Sequence, residues 1–280
     1  MLFKFVFWLS WLIILVIPQG STAGSSQNVN PQMKYVKASP PSITLRCSDG
    51  IFCVAIHIPD GSLDSNIGPK RVEQIDTGAL LLTSGWRTDG MQLVDKAREL
   101  VLDDVATFGT ISLTSNLQKR NMDYGKRLAN RLVDYIVDCH VQDSVRSLAT
   151  VGMLATLSSA GSGIFDNRTD INICGALHFI DVTGMYPCRG LAIGMHSDDI
   201  NQQLMKHDFE SWSVDEAKDK ILDLLRYNNN ESSSEDQQND SIDDAKSTWK
   251  IPENAILEIV IMRAPDGSIH RTSMPYISTN

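Results

Sequence analysis

The chain contains few of the residues that characterise disulfide-bonded, metal-binding and nucleic-acid-binding proteins. Only five of its 280 residues are cysteines, with no CxxC pair and no histidine at zinc-ligand spacing, which argues against a disulfide scaffold and a zinc module. It has 25 basic side chains against 34 acidic ones, so it lacks the basic surface that nucleic-acid binding requires. Neither GxGxxG nor GxxxxGK(S/T) occurs, and nucleotide binding therefore has no motif support.

The densest apolar run is too short to cross a bilayer. Fourteen residues without a charge, from Phe5 to Pro18, follow Lys4 and would span about 21 Å as a helix, against a hydrocarbon core of ~30 Å. Ser21-Thr22-Ala23 then supplies small residues at the spacing of a cleavage site. The pattern predicts a secretory signal peptide over residues 1–23 and no stable membrane span after its removal. An uncleaved anchor and an artefactual gene start are the alternatives.

Acidic residues are concentrated in one segment. Residues 228–244 read NNNESSSEDQQNDSIDD, with six acids, no base and a single aliphatic side chain. Such a segment cannot bury enough apolar surface to offset its ordering entropy, so we predict a disordered acidic insertion over 228–248. A solvated spacer is favoured over a docking segment for a basic partner. Three Asn-x-Ser/Thr sequons in predicted polar loops are candidate glycosylation sites: Asn167, Asn230 and Asn239.

The first half of the remaining chain shows strands followed by two helices. After a flexible lead-in over 24–41, two β-rich runs flank an Asp49-Gly50 turn, which predicts a hairpin. GALLLTS at 78–84 indicates a strand buried on both faces. Apolar residues at three- and four-residue steps then predict one helix from Arg87 and a second over 123–145.

The second half repeats this order and ends in a tail. Strands are expected at 148–157, 171–181, 185–194 and 255–262, with helices at 198–208 and 214–227. Ser213 and Glu216 form a capping box at the start of the last helix. The order predicts one α+β domain over 42–263, a four-layer αββα sandwich in which helices cover two stacked sheets. Residues 264–280 are expected to be a C-terminal tail.

Several motifs follow the order found in the proteasome subunit family. ITLRCSDGIFCV at 43–54 resembles the first hairpin of an α-type subunit of the 20S core, and Lys34-Tyr35-Val36-Lys37 resembles the end of the preceding helix. Other matches are Lys70-Arg71 before Ile75-Asp76, Ser84-Gly85 with Asp89, Ala97-Arg98, Val145-Arg146, Asp181 with Gly184, and Ala192-Ile193-Gly194. The resemblance covers residues 33–263, is nearest to α-type 3 and implies the fold of N-terminal-nucleophile hydrolases. Pro31 departs from it, because proline disfavours a continuous helix there.

The catalytic subunits of this family use an N-terminal threonine, a carboxylate and a lysine. Aligned on the Asp49-Gly50 turn, these positions fall on Pro40, Ile56 and Arg71. Proline has no hydroxyl, isoleucine carries no charge, and arginine stays protonated near neutral pH. We therefore expect no enzymatic activity and assign no catalytic residue, cofactor or metal. A one-residue shift would bring Ser39 to the first position without supplying a carboxylate.

The resemblance implies a non-catalytic structural subunit. It would pack with other proteasome α- and β-type subunits in a hetero-oligomeric ring and contribute to substrate gating in ubiquitin-dependent protein breakdown, in the cytoplasm and nucleus. The predicted signal peptide instead indicates the secretory pathway. The alternative is a secreted or endomembrane binding protein that retains the fold without ring assembly. His57 is interpreted as a strand-end residue, and Cys47 and Cys53 as buried thiols of core strands.

Overall fold

The computed structural model describes residues 31–59, 70–108, 123–141, 146–159, 173–230, 251–264 and 266–276. The predicted signal peptide, the sequons at Asn167 and Asn239 and the acidic insertion from 231 onward lie outside these residues.

Helices and antiparallel sheets together make up the described part of the chain, which confirms the predicted α+β class. The helices are α1 Pro31–Ala38, α2 Arg87–Phe108, α3 Asp123–Val141, α4 Ser197–Leu204 and α5 Val214–Asn230. The strands are β1 Ser42–Cys47, β2 Gly50–His57, β3 Val72–Asp76, β4 Ala79–Gly85, β5 Thr150–Ser159, β6 Ile173–Asp181, β7 Gly184–Cys188, β8 Gly190–Ile193, β9 Ile256–Arg263 and β10 Ser268–Pro275.

The strands form two five-stranded sheets in which every neighbouring pair is antiparallel. The first sheet has the order β10-β9-β2-β1-β8, and the second has the order β3-β4-β5-β6-β7. The predicted hairpin at Asp49-Gly50 is confirmed, since Cys47 pairs with Gly50 at the start of the β1–β2 ladder. A side chain at Gly50 would overlap the carbonyl of Met262, so glycine lets β2 approach β9 closely here.

Alternation along the strands divides the apolar side chains between separate clusters. On β9, Leu257, Ile259 and Ile261 pack with side chains of α4 and α5, whereas Val260 and Met262 point the other way. Val260 and Met262 share a cluster with Leu80, Leu82 and Met153 of the second sheet. A third cluster joins the opposite side of that sheet to α2 and α3. Fully burying each leucine contributes roughly 1.5–3 kcal/mol.

Strand β4 shows the burial that its sequence predicts. All of its residues from Ala79 to Gly85 are buried, because alternate side chains enter different clusters. Leu81 packs toward α2 and α3, whereas Leu80 and Leu82 pack toward the first sheet. A continuous apolar run is therefore the correct pattern for this central strand.

The capping box predicted for the last helix is confirmed. Ser213 Oγ accepts a 3.2 Å hydrogen bond from the Glu216 amide, and Glu216 Oε2 accepts one of 2.9 Å from the Ser213 amide. The helix begins at Val214 as expected, but it continues to Asn230. Residues 228–230 of the predicted acidic insertion are therefore helical, and the Asn230 sequon starts at a helix end rather than in a loop.

Regular secondary structure extends beyond the predicted domain bounds at both ends. The lead-in predicted over 24–41 contains α1, whose first residue is Pro31. Proline fits a first helical turn because the amide it lacks would have no helical partner there. The tail predicted over 264–280 contains β10, which pairs with β9 along its whole length. The alternating polar sequence of β10 suits an edge strand with one solvated side.

The single strand predicted over 185–194 is two strands in different sheets. β7 pairs with β6, whereas β8 pairs with β1. Pro187 lies in β7, an edge strand, where its missing amide leaves no ladder bond unmade. Gly190 opens β8 at a point where a side chain would overlap Leu45 and Phe209. The chain therefore passes from the second sheet to the first at a point where Gly190 packs closely against residues that are distant in sequence.

Candidate functional site

Of the three positions aligned with catalytic residues, two lie just before strands and one lies in the apolar core. Pro40 lies between α1 and β1. Ile56 is 2% exposed, and its side chain belongs to the apolar cluster with α4 and α5. Arg71 directly precedes β3, where its carbonyl accepts a 2.9 Å hydrogen bond from the Thr83 amide.

Ser39, the residue that a one-residue shift would align with the nucleophile, is held in a buried hydroxyl pair. Its Oγ donates to the Val36 carbonyl at 2.7 Å and lies 2.5 Å from Ser84 Oγ. A carbonyl and a hydroxyl are not general bases near neutral pH, so these contacts do not activate Ser39. The Ser39 carbonyl also accepts a hydrogen bond from the Met195 amide. These bonds fix the connection between α1 and β1.

A cluster of ionisable side chains lies where one end of the first sheet meets β3. This inter-sheet polar cluster consists of His57, Arg71, Glu258 and Arg271. Glu258, only 3% exposed, accepts hydrogen bonds from His57 Nε2 at 2.8 Å and from the Arg71 amide at 3.0 Å. Its other oxygen accepts from the Arg271 guanidinium, which also donates to the Val72 carbonyl at 2.6 Å. Side chains of β2, β9 and β10 are thereby tied to the second sheet.

The cluster holds Glu258 ionised. Burial by itself raises the pKa of Glu258, but the hydrogen bonds from His57 and the Arg71 amide and the positive charge of Arg271 outweigh it and lower that pKa below its usual value. A buried carboxylate bonded in this way stabilises the fold only while its partners remain. His57 closes β2, which confirms its interpretation as a strand-end residue.

Arg71 stays a cation despite its environment. Burial, followed by the nearby charge of Arg87, lowers the pKa of Arg71 to about 10, with Glu258 opposing the shift. That value is still well above neutral pH, so the guanidinium is protonated and cannot accept a proton as a neutral lysine amine would. The Arg71 Nε has no hydrogen-bond partner among the residues that the structure describes.

Exposed aromatic, methionine and arginine side chains lie near the start of α2. This aromatic patch consists of Tyr35, Trp86, Met91 and Arg146. The rings of Tyr35 and Trp86 meet edge to face at 5.0 Å, and the Arg146 guanidinium lies 4.7 Å from the Trp86 ring centre. Trp86 and Met91 line the same small cavity. Arg146 is anchored in turn by buried Asp89, whose second oxygen accepts from the Ala149 amide at 2.7 Å.

Other site types have no geometric support in the described part of the chain. No group of three or more histidine, cysteine, aspartate or glutamate side chains there could hold a metal ion. No helix within those ranges is long and apolar enough to cross a membrane. Cys47 and Cys53 lie on β1 and β2 as buried free thiols, as predicted. Burial raises the pKa of each to about 12, so both remain protonated.

Sequence reasoning did not find the inter-sheet polar cluster. One signal was present, because Glu258 is the single charged residue in the apolar run AILEIVIM, and a lone carboxylate in a core strand requires partners. Those partners are far away in sequence, with His57 201 positions from Glu258. Only the register of β2 against β9 brings the two side chains together.

No protein-family model matches the chain, and no curated protein matches it.

Proposed function

We propose that the chain is a non-catalytic structural subunit similar to the α-type subunits of the 20S proteasome core. In this proposal it packs into a hetero-oligomeric ring with other α- and β-type subunits and contributes to gating substrate access in ubiquitin-dependent breakdown. The fold is then the four-layer αββα sandwich of N-terminal-nucleophile hydrolases. The two sheets, with helices α2 and α3 packed on one and α4 and α5 on the other, support that assignment.

The observation that carries the proposal is the junction between α1 and β1. Val36 of α1 is buried against both sheets, and Ser39 bonds to Val36, Ser84 and Met195. The chain therefore passes through Pro40 as an internal residue without a free amine or hydroxyl. An N-terminal nucleophile needs both groups at the start of this strand, whereas a structural subunit does not.

The aromatic patch supports packing against another protein. Aromatic, methionine and arginine side chains are enriched in protein interfaces, and Tyr35, Trp86, Met91 and Arg146 place all of these types on one surface. Trp86 contacts both Tyr35 and Arg146, so it is the expected energetic centre of the contact.

Co-sedimentation tests this function. The full chain, untagged at its N-terminus, is co-expressed with proteasome α- and β-type subunits and sedimented; we expect it in a particle near the mass of the 20S core. Trp86→Ser should reduce that fraction at least about tenfold, as loss of a central interface side chain does. Leu102→Ser removes another exposed apolar side chain of α2, about 16 Å along the helix from Met91, and should leave the fraction unchanged.

Three outcomes would overturn this function. Recovery of the chain as a glycosylated monomer from the secretory pathway would favour the alternative, a secreted or endomembrane binding protein with the same fold. Equal losses in the Trp86 and Leu102 variants would remove the aromatic patch from the argument. An N-terminal sequence beginning with Thr, Ser or Cys at a strand start would instead favour an N-terminal-nucleophile hydrolase.

A further inference from the structure

Strand β3 lies at the edge of the second sheet, and its outward carbonyl groups are already occupied. The Arg71 carbonyl faces β4, because it accepts a hydrogen bond from Thr83. Backbone groups alternate between the two sides of an antiparallel strand, so the carbonyls of Val72 and Gln74 face away from β4. Among the described strands, β3 has β4 as its one ladder partner.

Two arginines from different elements reach these two carbonyls. Arg271 of β10 donates to the Val72 carbonyl at 2.6 Å. Arg98 of α2 donates to the Gln74 carbonyl through Nη2 at 3.0 Å and through Nε at 3.3 Å. Each guanidinium is also held by a carboxylate, Arg271 by Glu258 and Arg98 by Glu73. Both donors are therefore oriented along the strand edge.

Within the described part of the chain, there is space beside this edge. A groove of about 560 Å³ runs beside β3, and Lys70, Arg98 and Arg271 are among the residues that line it. An open edge with unpaired carbonyl and amide groups is a template for strand addition. Hydrogen bonds from charged donors are the stronger ones, and an incoming strand would have to displace three of them, one from Arg271 and two from Arg98.

We infer that Arg98 and Arg271 close the β3 edge against strand addition by a second copy of this chain. A second copy is the partner concerned because identical edge strands can pair antiparallel about a two-fold axis, which satisfies both edges at once. The inference concerns self-association through β3. It is independent of the aromatic patch and of the proposed ring.

Sedimentation velocity on the purified full chain tests the inference. We expect Arg98→Ala/Arg271→Ala to self-associate at least about tenfold more tightly than the wild-type chain, since the charge-assisted hydrogen bonds of the two arginines no longer compete with the incoming strand. Adding Gln74→Pro should return the double variant to wild-type behaviour, because proline removes the outward amide that a new strand would bond. Arg131→Ala, whose partners lie on α2, should not differ from wild type.

An unchanged mass distribution in the double variant, or association that Gln74→Pro does not reverse, would overturn the inference. Circular dichroism establishes that each variant is folded. Should the loss of Arg271 prevent folding through Glu258, Arg98→Ala alone decides the question. Its guanidinium lies outside the inter-sheet polar cluster, and tighter association of this single variant supports the inference, whereas unchanged association contradicts it.

Discussion

The Glu258 carboxylate on β9 accepts a 2.8 Å hydrogen bond from His57 Nε2 on the neighbouring strand β2. Both side chains point toward the second sheet, since Ala55 and Val260, two residues away on the same strands, lie in the apolar cluster between the sheets. The bond therefore stands at the end of the apolar interface between the sheets. A single buried charge at this place is satisfied by donors from both sheets.

Replacing Glu258 by Gln should destabilise the fold by about 1–3 kcal/mol, because it leaves the partly exposed Arg271 guanidinium without its counter-charge. Urea unfolding at neutral pH measures the loss. Glu99→Gln is the matched control, since Glu99 is exposed and pairs with Lys96 on the surface of α2; it should change stability by less than about 1 kcal/mol. Equal effects of the two substitutions would contradict the structural role of Glu258.

The sequence predicted the parts of the fold that short-range pattern controls. The Asp49-Gly50 hairpin, the doubly buried β4 and the Ser213–Glu216 capping box are all found where they were expected. Each depends on residues within a few positions of one another. Turn chemistry, apolar runs and helix capping are local properties, so a single sequence is sufficient to locate them.

The remaining errors involve residues that are distant in the chain. The division of 185–194 between two sheets depends on contacts of Gly190 with Leu45 and Phe209. The strand β10 is stabilised by β9 and not by its own composition. The pairing of His57 with Glu258 follows from strand register. None of these relationships leaves a periodic signal within one segment.

Removing the N-cap hydroxyl should weaken the last helix. Ser213→Ala is expected to cost about 1 kcal/mol, because the Glu216 amide loses its acceptor at a helix start. Chemical denaturation measures the change. Glu216→Gln should cost less, since an amide oxygen can still accept from the Ser213 amide. A larger loss from Glu216→Gln than from Ser213→Ala would contradict this account of the cap.

Gly125 allows the first turn of α3 to lie close against β5. A Cβ at Gly125 would overlap Thr156 Oγ1 and lie 3.3 Å from His178 Cε1. Gly125→Ala should therefore destabilise the fold by about 1–3 kcal/mol through overpacking, which exceeds the helix-propensity gain of ~1 kcal/mol. Thermal or urea unfolding measures it.

Relief of this overlap provides the control. Combining Gly125→Ala with Thr156→Ala should cost less than the sum of the two single substitutions, because the second removes the obstructing hydroxyl. Strict additivity would show that the cost of a side chain at Gly125 arises elsewhere.

His178 should make stability depend on pH. The side chain is 7% exposed and its Nδ1 has no hydrogen-bond partner among the described residues; burial, and then the charge of Lys126, lower the pKa of His178. Since the folded pKa lies below the unfolded value of about 6.5, the unfolded chain binds the proton more readily. His178 therefore costs no stability above pH ~6.5, and stability falls as the pH drops from there toward the folded pKa. Urea unfolding at about pH 7.5 and about pH 5.5, roughly one unit above and below the unfolded pKa, measures the effect. The free energy of unfolding should decrease less between these two pH values in His178→Leu than in the wild-type chain. An unchanged slope in His178→Leu would contradict the prediction.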